Sequence, residues 1–313
     1  MRSRKDKQTS LREAVKTYLP NGSSISFGGL GARDPFAALY EIIKQGVKDL
    51  TLMTTSIMDI GNILIGAGCV SKVEGAYVWI GSVGSGLNYR RAVEQGVPVK
   101  VETEEYSNYS ASLRFLAASM NIPFMATKSL IGSDIPKYND KIKLVNDPFT
   151  NEPVALVSAA SPDVVFIHVQ KADTAGNGQI WGILMNDPTL ARAAKKVVLT
   201  CEEIVSTREI RKLPNLTAIP SYCVDAVVKV PFCSHPMWTA GYYWCDLPFR
   251  RNFMLYNKTQ EGFEKWLKEW VMDVKDWDTF LAKLGKDRLE KLVQMERDNY
   301  NIPAFVYEGG AKR

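Results

Sequence analysis

The chain has 313 residues, 46% hydrophobic and 23% charged, with a formal net charge of +5. This composition provides for a large buried core in one big or two smaller domains and excludes a disordered chain. No apolar run reaches the about 20 residues that a membrane helix needs, basic and acidic residues interleave in place of a nucleic-acid-binding block, and no apolar stretch follows the basic start MRSRKDKQTSLREAV. A cytoplasmic protein without a secretory signal is expected, with a charge compatible with an anionic small ligand. The five cysteines are dispersed with no CxxC pair, and neither His168 nor His235 has a metal-ligand partner at short spacing; neither a disulfide framework nor a metal site is expected.

In chain order, an amphipathic helix is expected from Leu11 to Leu19, ended by Pro20-Asn21-Gly22. The stretch Ser26-Phe27-Gly28-Gly29-Leu30-Gly31-Ala32-Arg33-Asp34-Pro35 then reads as strand, glycine turn and helix. Its glycines permit a tight turn with backbone N–H groups open to a ligand, Asp34 reads as an N-cap and Pro35 as a first-turn proline, and Phe36, Leu39, Tyr40 and Ile43 recur at helical spacing. Such a turn suits an oxyanion, a phosphate or a thioester carbonyl. The glycine spacing fits neither the dinucleotide fingerprint nor the P-loop, and a turn that only packs a helix onto a sheet remains open.

Leu50–Met53 reads as a second buried strand, and Thr54-Thr55-Ser56 lies at the strand end where ligands of parallel α/β sheets collect. A short helix at Ile63–Ile65 and a strand at Val73–Trp79 lead to the loop Gly81–Arg91, in which Ser82, Ser85 and Asn88 can orient a substrate and Arg90 and Arg91 can meet an acidic one. Val99–Glu102 alternates like a strand and runs into Glu104-Glu105-Tyr106-Ser107. Two neighbouring carboxylates there are either acid–base candidates with raised pKa values or the acidic first turn of a helix through Leu113, Leu116 and Met120. The polar stretch from Pro136 to Pro153 reads as an excursion from the sheet. Strands follow at Val154–Val157, Val164–Val169, Val197–Thr200 and Val224–Val230, with a turn at Asp173–Gly178 and a polar loop after Cys201–Val205. From Pro231 an aromatic, proline-rich connection covers a pocket or a partner, and amphipathic helices through Phe263, Trp266, Trp270, Trp277 and Phe280 run to Gly285.

The stretches SFGGLGARDP, NIPFMATKSLIGSD, HVQKADTAGNGQIWG, LTCEEIVSTREIR and IPSYCVDAVVKVPFCSHP, continued by KTQEGFEKWLKEWVMDVKDWDTFLAKLG, together carry a resemblance across nearly the whole chain. The chain resembles the A (α) subunit of class I coenzyme A-transferases, most closely those of the glutaconate type. The resemblance implies a CoA-transferase α/β fold, a mostly parallel sheet covered by helices, over residues 1–250, with a C-terminal helical extension over 251–313 packed on the same domain. It also implies that a CoA thioester is a substrate, that no cofactor is permanently bound, and that a B (β) subunit is an obligate partner in a hetero-oligomer. In the family, a B-chain glutamate attacks the acyl-CoA and passes CoA to a free acid, here a glutaconate-like dicarboxylate, through a glutamyl-CoA thioester. The serine-glutamate-asparagine-glycine motif that holds this glutamate is absent; Asn21-Gly22 follows Pro20.

On this resemblance Gly28, Gly29 and Gly31 would give oxyanion donors, and Ser82, Ser85, Asn88 and Tyr106 would bind substrate. An alternative is a hydrolase that opens a ring of a CoA thioester, as some relatives do, with Glu104 or Glu105 as base. The acidic pair followed by Tyr106-Ser107 also matches the glutaconate type. A non-catalytic ligand-sensing module is a third reading, although no helix-turn-helix stands beside it.

Overall fold

A computed structural model describes residues 6–80 and 83–299 of the chain. Ser82 and the two ends, 1–5 and 300–313, lie outside the described residues. In chain order the strands are β1 (Ser24–Phe27), β2 (Leu50–Met53), β3 (Ser56–Ile57), β4 (Val70–Gly75), β5 (Tyr77–Val78), β6 (Glu102–Glu105), β7 (Phe124–Thr127), β8 (Ile142–Asn146), β9 (Pro153–Ser158), β10 (Val164–Ala172), β11 (Gly178–Gln179), β12 (Lys196–Ile204) and β13 (Ala226–Lys229). The α-helices are α1 (Leu11–Tyr18), α2 (Phe36–Lys44), α3 (Asp59–Gly66), α4 (Leu87–Arg90), α5 (Asn108–Ser119), α6 (Ile135–Tyr138), α7 (Asp187–Ala193), α8 (Thr207–Ile210), α9 (Leu247–Tyr256), α10 (Gln260–Leu267), α11 (Trp277–Leu284) and α12 (Lys286–Asn299).

The main sheet has the order β13-β12-β10-β1-β2-β4-β6, with the short β11 folded back on β10. Every neighbour pair on that path is parallel, as the α/β reading expects. Strands of such a sheet are covered on both faces and read as continuous apolar runs. β10 is the clearest case, with all nine residues buried. Val164 and Phe166 join the core under α2, α3 and the C-terminal helices, whereas Val165, Ile167 and Val169 join the core that includes Leu190 and Ala191 of α7. The strand period of two thus divides one run between two cores.

The local chemistry corrects or refines the sequence expectations at three places. Asp34 does not cap α2 through its side chain; its carbonyl accepts from Phe36 N–H at 2.9 Å while its carboxyl is buried. Glu102–Glu105 form an edge strand, because the helix is capped later: Ser107 Oγ accepts from Ser110 N–H at 3.0 Å and Ser110 Oγ accepts from Ser107 N–H at 2.9 Å. The Pro136–Pro153 stretch is an excursion but contains β8, which with β7 and β9 makes a separate antiparallel sheet of order β7-β9-β8. Cys201 to Ile204 continue β12, ahead of the polar loop.

The C-terminal helices bury an aromatic cluster against α2. Trp266 is 1% exposed, with ring centroids 4.8 Å from Phe253 and 6.2 Å from both Phe249 and Tyr40. α12 follows Gly285, where the sequence pattern stops. The small sheet is tied on by charge. Glu74 of β4, 3% exposed, accepts from Arg114 of α5 at 2.8 Å and from Lys141, just before β8, at 2.6 Å. Burial opposes its charge, but Lys141 and Arg114 outweigh it and pull the Glu74 carboxyl down to about 2.

Two outcomes follow for unfolding experiments. Trp266→Ala should cost about 3–5 kcal/mol, the usual loss for a large aromatic cut from a core, measured by urea denaturation. Glu74→Gln should cost about 3 kcal/mol near neutral pH, since it strands the buried Arg114 guanidinium. A depressed folded pKa stabilises above the unfolded value and is lost as protons bind, so the wild-type and Glu74→Gln stabilities should converge as pH falls from 4.5 towards 2.

Candidate functional site

The glycine turn sits at the carboxyl end of β1, an interior strand between β10 and β2. Gly28 N–H donates to the Phe166 carbonyl at 2.8 Å, and Gly29 N–H donates to Asp187 Oδ1 at 2.8 Å. The expectation that all three glycines present open donors is therefore corrected for Gly28 and Gly29, whose N–H groups bond within the fold. Leu30 and Gly31 N–H make no hydrogen bond among the described residues. Gly29 has φ +79°, and a Cβ there would stand 2.5 Å from the Ala32 carbonyl oxygen, so the turn closes only with glycine at that position.

A cleft of about 210 Å³ opens beside the turn, with Gly29 and Leu30 in its wall. Its polar side chains are Ser26, Thr54, Thr55, Ser56, Asn108, Ser112 and Asn186, and Phe27, Phe115 and Leu190 supply apolar wall. No acidic, basic, cysteine or histidine side chain lines it among the described residues. Thr54-Thr55-Ser56 stand where the sequence places ligand-collecting residues, at the end of β2. Ser56 Oγ donates to Asn108 Oδ1 at 3.3 Å, joining that loop to the start of α5.

Under the turn lies a dry charged layer. Arg33, buried and held at φ +58°, donates from Nη1 to Asp187 Oδ2 at 2.5 Å and to the His168 carbonyl at 3.1 Å, and from Nη2 to the Ile183 carbonyl at 2.5 Å. Arg250 of α9 pairs with Asp59 of α3 at 3.2 and 3.0 Å. Asp34 completes the layer, and its Oδ2 is buried without a hydrogen-bond partner. Burial, then the charges of Asp59 and Asp187, push the Asp34 carboxyl well above the carboxylate range. The two guanidiniums of the layer are each paired with a carboxylate, which is how buried charge is tolerated.

The other sequence candidates lie apart from this cleft. Asn88 is fully buried; its amide nitrogen donates to the Asn62 carbonyl at 3.0 Å and its oxygen accepts from Arg91. Arg91 also donates to the Asn257 carbonyl at 2.9 Å, so both residues secure the helices and the expected substrate role of Asn88 is corrected. Arg90 is exposed and pairs with Glu94 at 3.1 Å. Ser85 is exposed on the turn before α4, where its carbonyl accepts from Leu87 N–H. Tyr106 is buried beneath Arg114, whose guanidinium carbon is 4.2 Å from the ring centroid, and its hydroxyl donates to Glu104.

Glu104 and Glu105 separate in chemistry although they adjoin in sequence, because successive strand residues point to opposite faces. Glu104 is met by Lys72 at 2.8 Å and Lys141 at 3.0 Å. Burial opposes its ionisation, but Lys72, Tyr106 and Lys141 prevail and hold it below the usual range. The raised pKa expected of a base is thus corrected for Glu104. Glu105 is exposed, and its carboxylate makes no hydrogen bond or ion pair among the described residues. Both residues line a neighbouring cleft of about 310 Å³ with Tyr77, Tyr89 and Tyr106.

Both histidines are buried against carboxylates, His168 on Glu202 at 2.8 Å and His235 on Asp246 at 2.9 Å. No cluster of potential metal ligands occurs among the described residues. The sequence reading missed Asp187, Asn108, Ser112 and Asn186. The run Asn186-Asp187-Pro188 carries a helix-start signal, yet nothing local tells that Asp187 reaches back to a turn 158 residues earlier.

The coenzyme A transferase family model matches residues 8–230. The A chain of a 3-oxoadipate CoA-transferase from Pseudomonas knackmussii is 37% identical over 89% of this chain and 98% of its own. That of the glutaconate CoA-transferase from Acidaminococcus fermentans is 35% identical over 95% of this chain and 97% of its own. The crystal structure of that glutaconate coenzyme A-transferase matches with a TM-score of 0.88, covering 96% of this chain and 99% of that one. A protein of Archaeoglobus fulgidus that carries no functional name is 43% identical over 93% of this chain, which spans 65% of that relative's length. The parallel sheet, the glycine turn at its interior strand and these full-length similarities agree: the chain belongs to the coenzyme A transferase family.

Proposed function

We propose that this chain is the A (α) subunit of a two-chain CoA-transferase that moves CoA from an acyl-CoA to a free carboxylic acid, with the nucleophilic glutamate on a B (β) subunit. The observation that carries the proposal is the lining of the cleft beside the glycine turn. Neutral hydroxyls and amides with open backbone donors can hold a thioester and orient it, but a serine there has no base to activate it. A nucleophile carried by a B chain is compatible with this lining. Its carboxylate adds to the thioester carbon while the carbonyl π pair moves onto oxygen. Collapse expels CoA thiolate, which attacks the resulting anhydride at the glutamyl carbonyl, releases the first acid and leaves glutamyl-CoA for the acceptor acid. The unbonded Leu30 N–H on the cleft wall supports a donor role towards the oxyanion.

The rim of this edge supports a partner surface. Trp79, Ile183 and Leu184 on loops and Tyr109 in the first turn of α5 are large apolar residues, 41 to 58% exposed. Exposed apolar side chains of this size supply the contacts of protein interfaces. Among the described residues no helix is long and apolar enough to cross a membrane. The five cysteines are all unpaired, which fits the reducing cytoplasm. A glutaconate-like dicarboxylate is the acceptor to test first, on the strength of the glutaconate-type relative.

The free carboxylate of Glu105 favours a second reading, a CoA-thioester hydrolase; Glu104, locked between two lysines, is no base. With the B chain present, the transferase should convert acyl-CoA plus acid faster than acyl-CoA plus water, and the isolated chain should do neither. Glu105→Gln should lower transfer by less than about tenfold, whereas wild-type hydrolysis faster than transfer, lost about 10²–10⁴-fold in Glu105→Gln, the worth of a general base, would establish the hydrolase reading. Chromatography of the acyl-CoA products distinguishes the two.

A further inference from the structure

The charged layer under the turn spans its two ends. Asp187 grips the entry through Gly29 N–H and the exit through the Arg33 guanidinium, both at hydrogen-bond distance. Arg33 extends the grip to the His168 carbonyl on β10 and to the Ile183 carbonyl in the loop before α7. The approach is tight. A Cβ on Gly28 would lie 2.9 Å from Asp187 Oδ1 and 3.0 Å from Ile167, so that residue must be glycine for the carboxylate to reach the turn. Arg33 itself stands at φ +58°, a left-handed conformation unfavourable for a non-glycine residue that persists only where its surroundings over-determine it. Between these two anchored points lie Leu30, Gly31 and Ala32, none of whose N–H groups makes a hydrogen bond among the described residues; of the three, Leu30 lines the cleft.

We propose that Asp187 is a positioning residue which, paired with Arg33, fixes the glycine turn so that the Leu30 N–H, on the cleft wall, serves as donor for the thioester oxyanion. The inference rests on the transferase reading. Neither Asp187 nor Arg33 is among the residues lining the cleft, so their effect on the reaction passes through the backbone they hold. Preorganised donors act because they need no reorganisation as charge develops. A loosened turn would bind the ground-state thioester nearly as well and stabilise its oxyanion poorly.

The test uses the complex assembled with its B chain and compares wild type with Asp187→Asn, Arg33→Lys and the double variant Arg33→Gln/Asp187→Asn. The double variant removes both charges, so no charge is left buried and unpaired, and it is the variant expected to assemble most readily. Assembled variants should lose about 10²–10³-fold in kcat, the worth of an oxyanion donor, with KM for acyl-CoA held within about threefold, the signature of an interaction made only in the transition state. An assembled variant with wild-type kcat, or one whose only change is a lower melting temperature, overturns the proposal. So does failure of all three to assemble, which would make the pair a folding element. A wild-type complex that transfers no CoA instead removes the transferase reading on which the inference stands.

Discussion

Parallel pairing of Ile25 with both Val164 and Leu52 seats β1 inside the sheet, with β10 on one side and β2 on the other. Its carboxyl end therefore opens into a crevice between two loops and not onto an edge, which is where ligands of open α/β sheets bind. The glycine turn, the Thr54–Ser56 segment and the start of α5 converge there because three strands of one orientation, β1, β2 and β6, deliver them to the same edge. The chemistry of the cleft follows from that convergence more than from any one residue.

Charge is distributed to support this arrangement without entering it. The described lining of the cleft is neutral, while pairs are buried beneath and beside it. Arg33 with Asp187 and Arg250 with Asp59 lie under the turn, and Glu74 draws Arg114 and Lys141 together where the small sheet joins β4. Buried pairs add little net stability compared with apolar packing, but a broken one is costly. Such pairs suit a scaffold that must hold one geometry. On the proposed reading the nucleophile belongs to a partner chain, whose docking would dry the cleft and strengthen every dipole in it.

The fold was legible where burial was complete. Val164–Val169, Val197–Thr200 and Leu50–Met53 are apolar runs whose length and flanks admit a buried strand, and each is one. Legibility failed where a strand lies at an edge: β8 exposes four of its five residues, so its sequence reads as polar loop. The acidic Glu102–Glu105 misled for the same reason, since β6 closes the sheet and two capping serines start the helix later. In the site, the turn and Thr54–Ser56 were readable because glycine and strand-end signals are local. Asn88 misled because a polar residue after glycines looks like loop, whereas its amide is fully satisfied inside. Asp187 was invisible because its meaning is a contact across the fold.

Mass measurement of the separated chains after brief exposure of the two-chain complex to acyl-CoA tests the division of labour most directly. The account predicts a covalent CoA adduct on the B chain and none on this one, discharged by a free carboxylic acid. An adduct on this chain would contradict it.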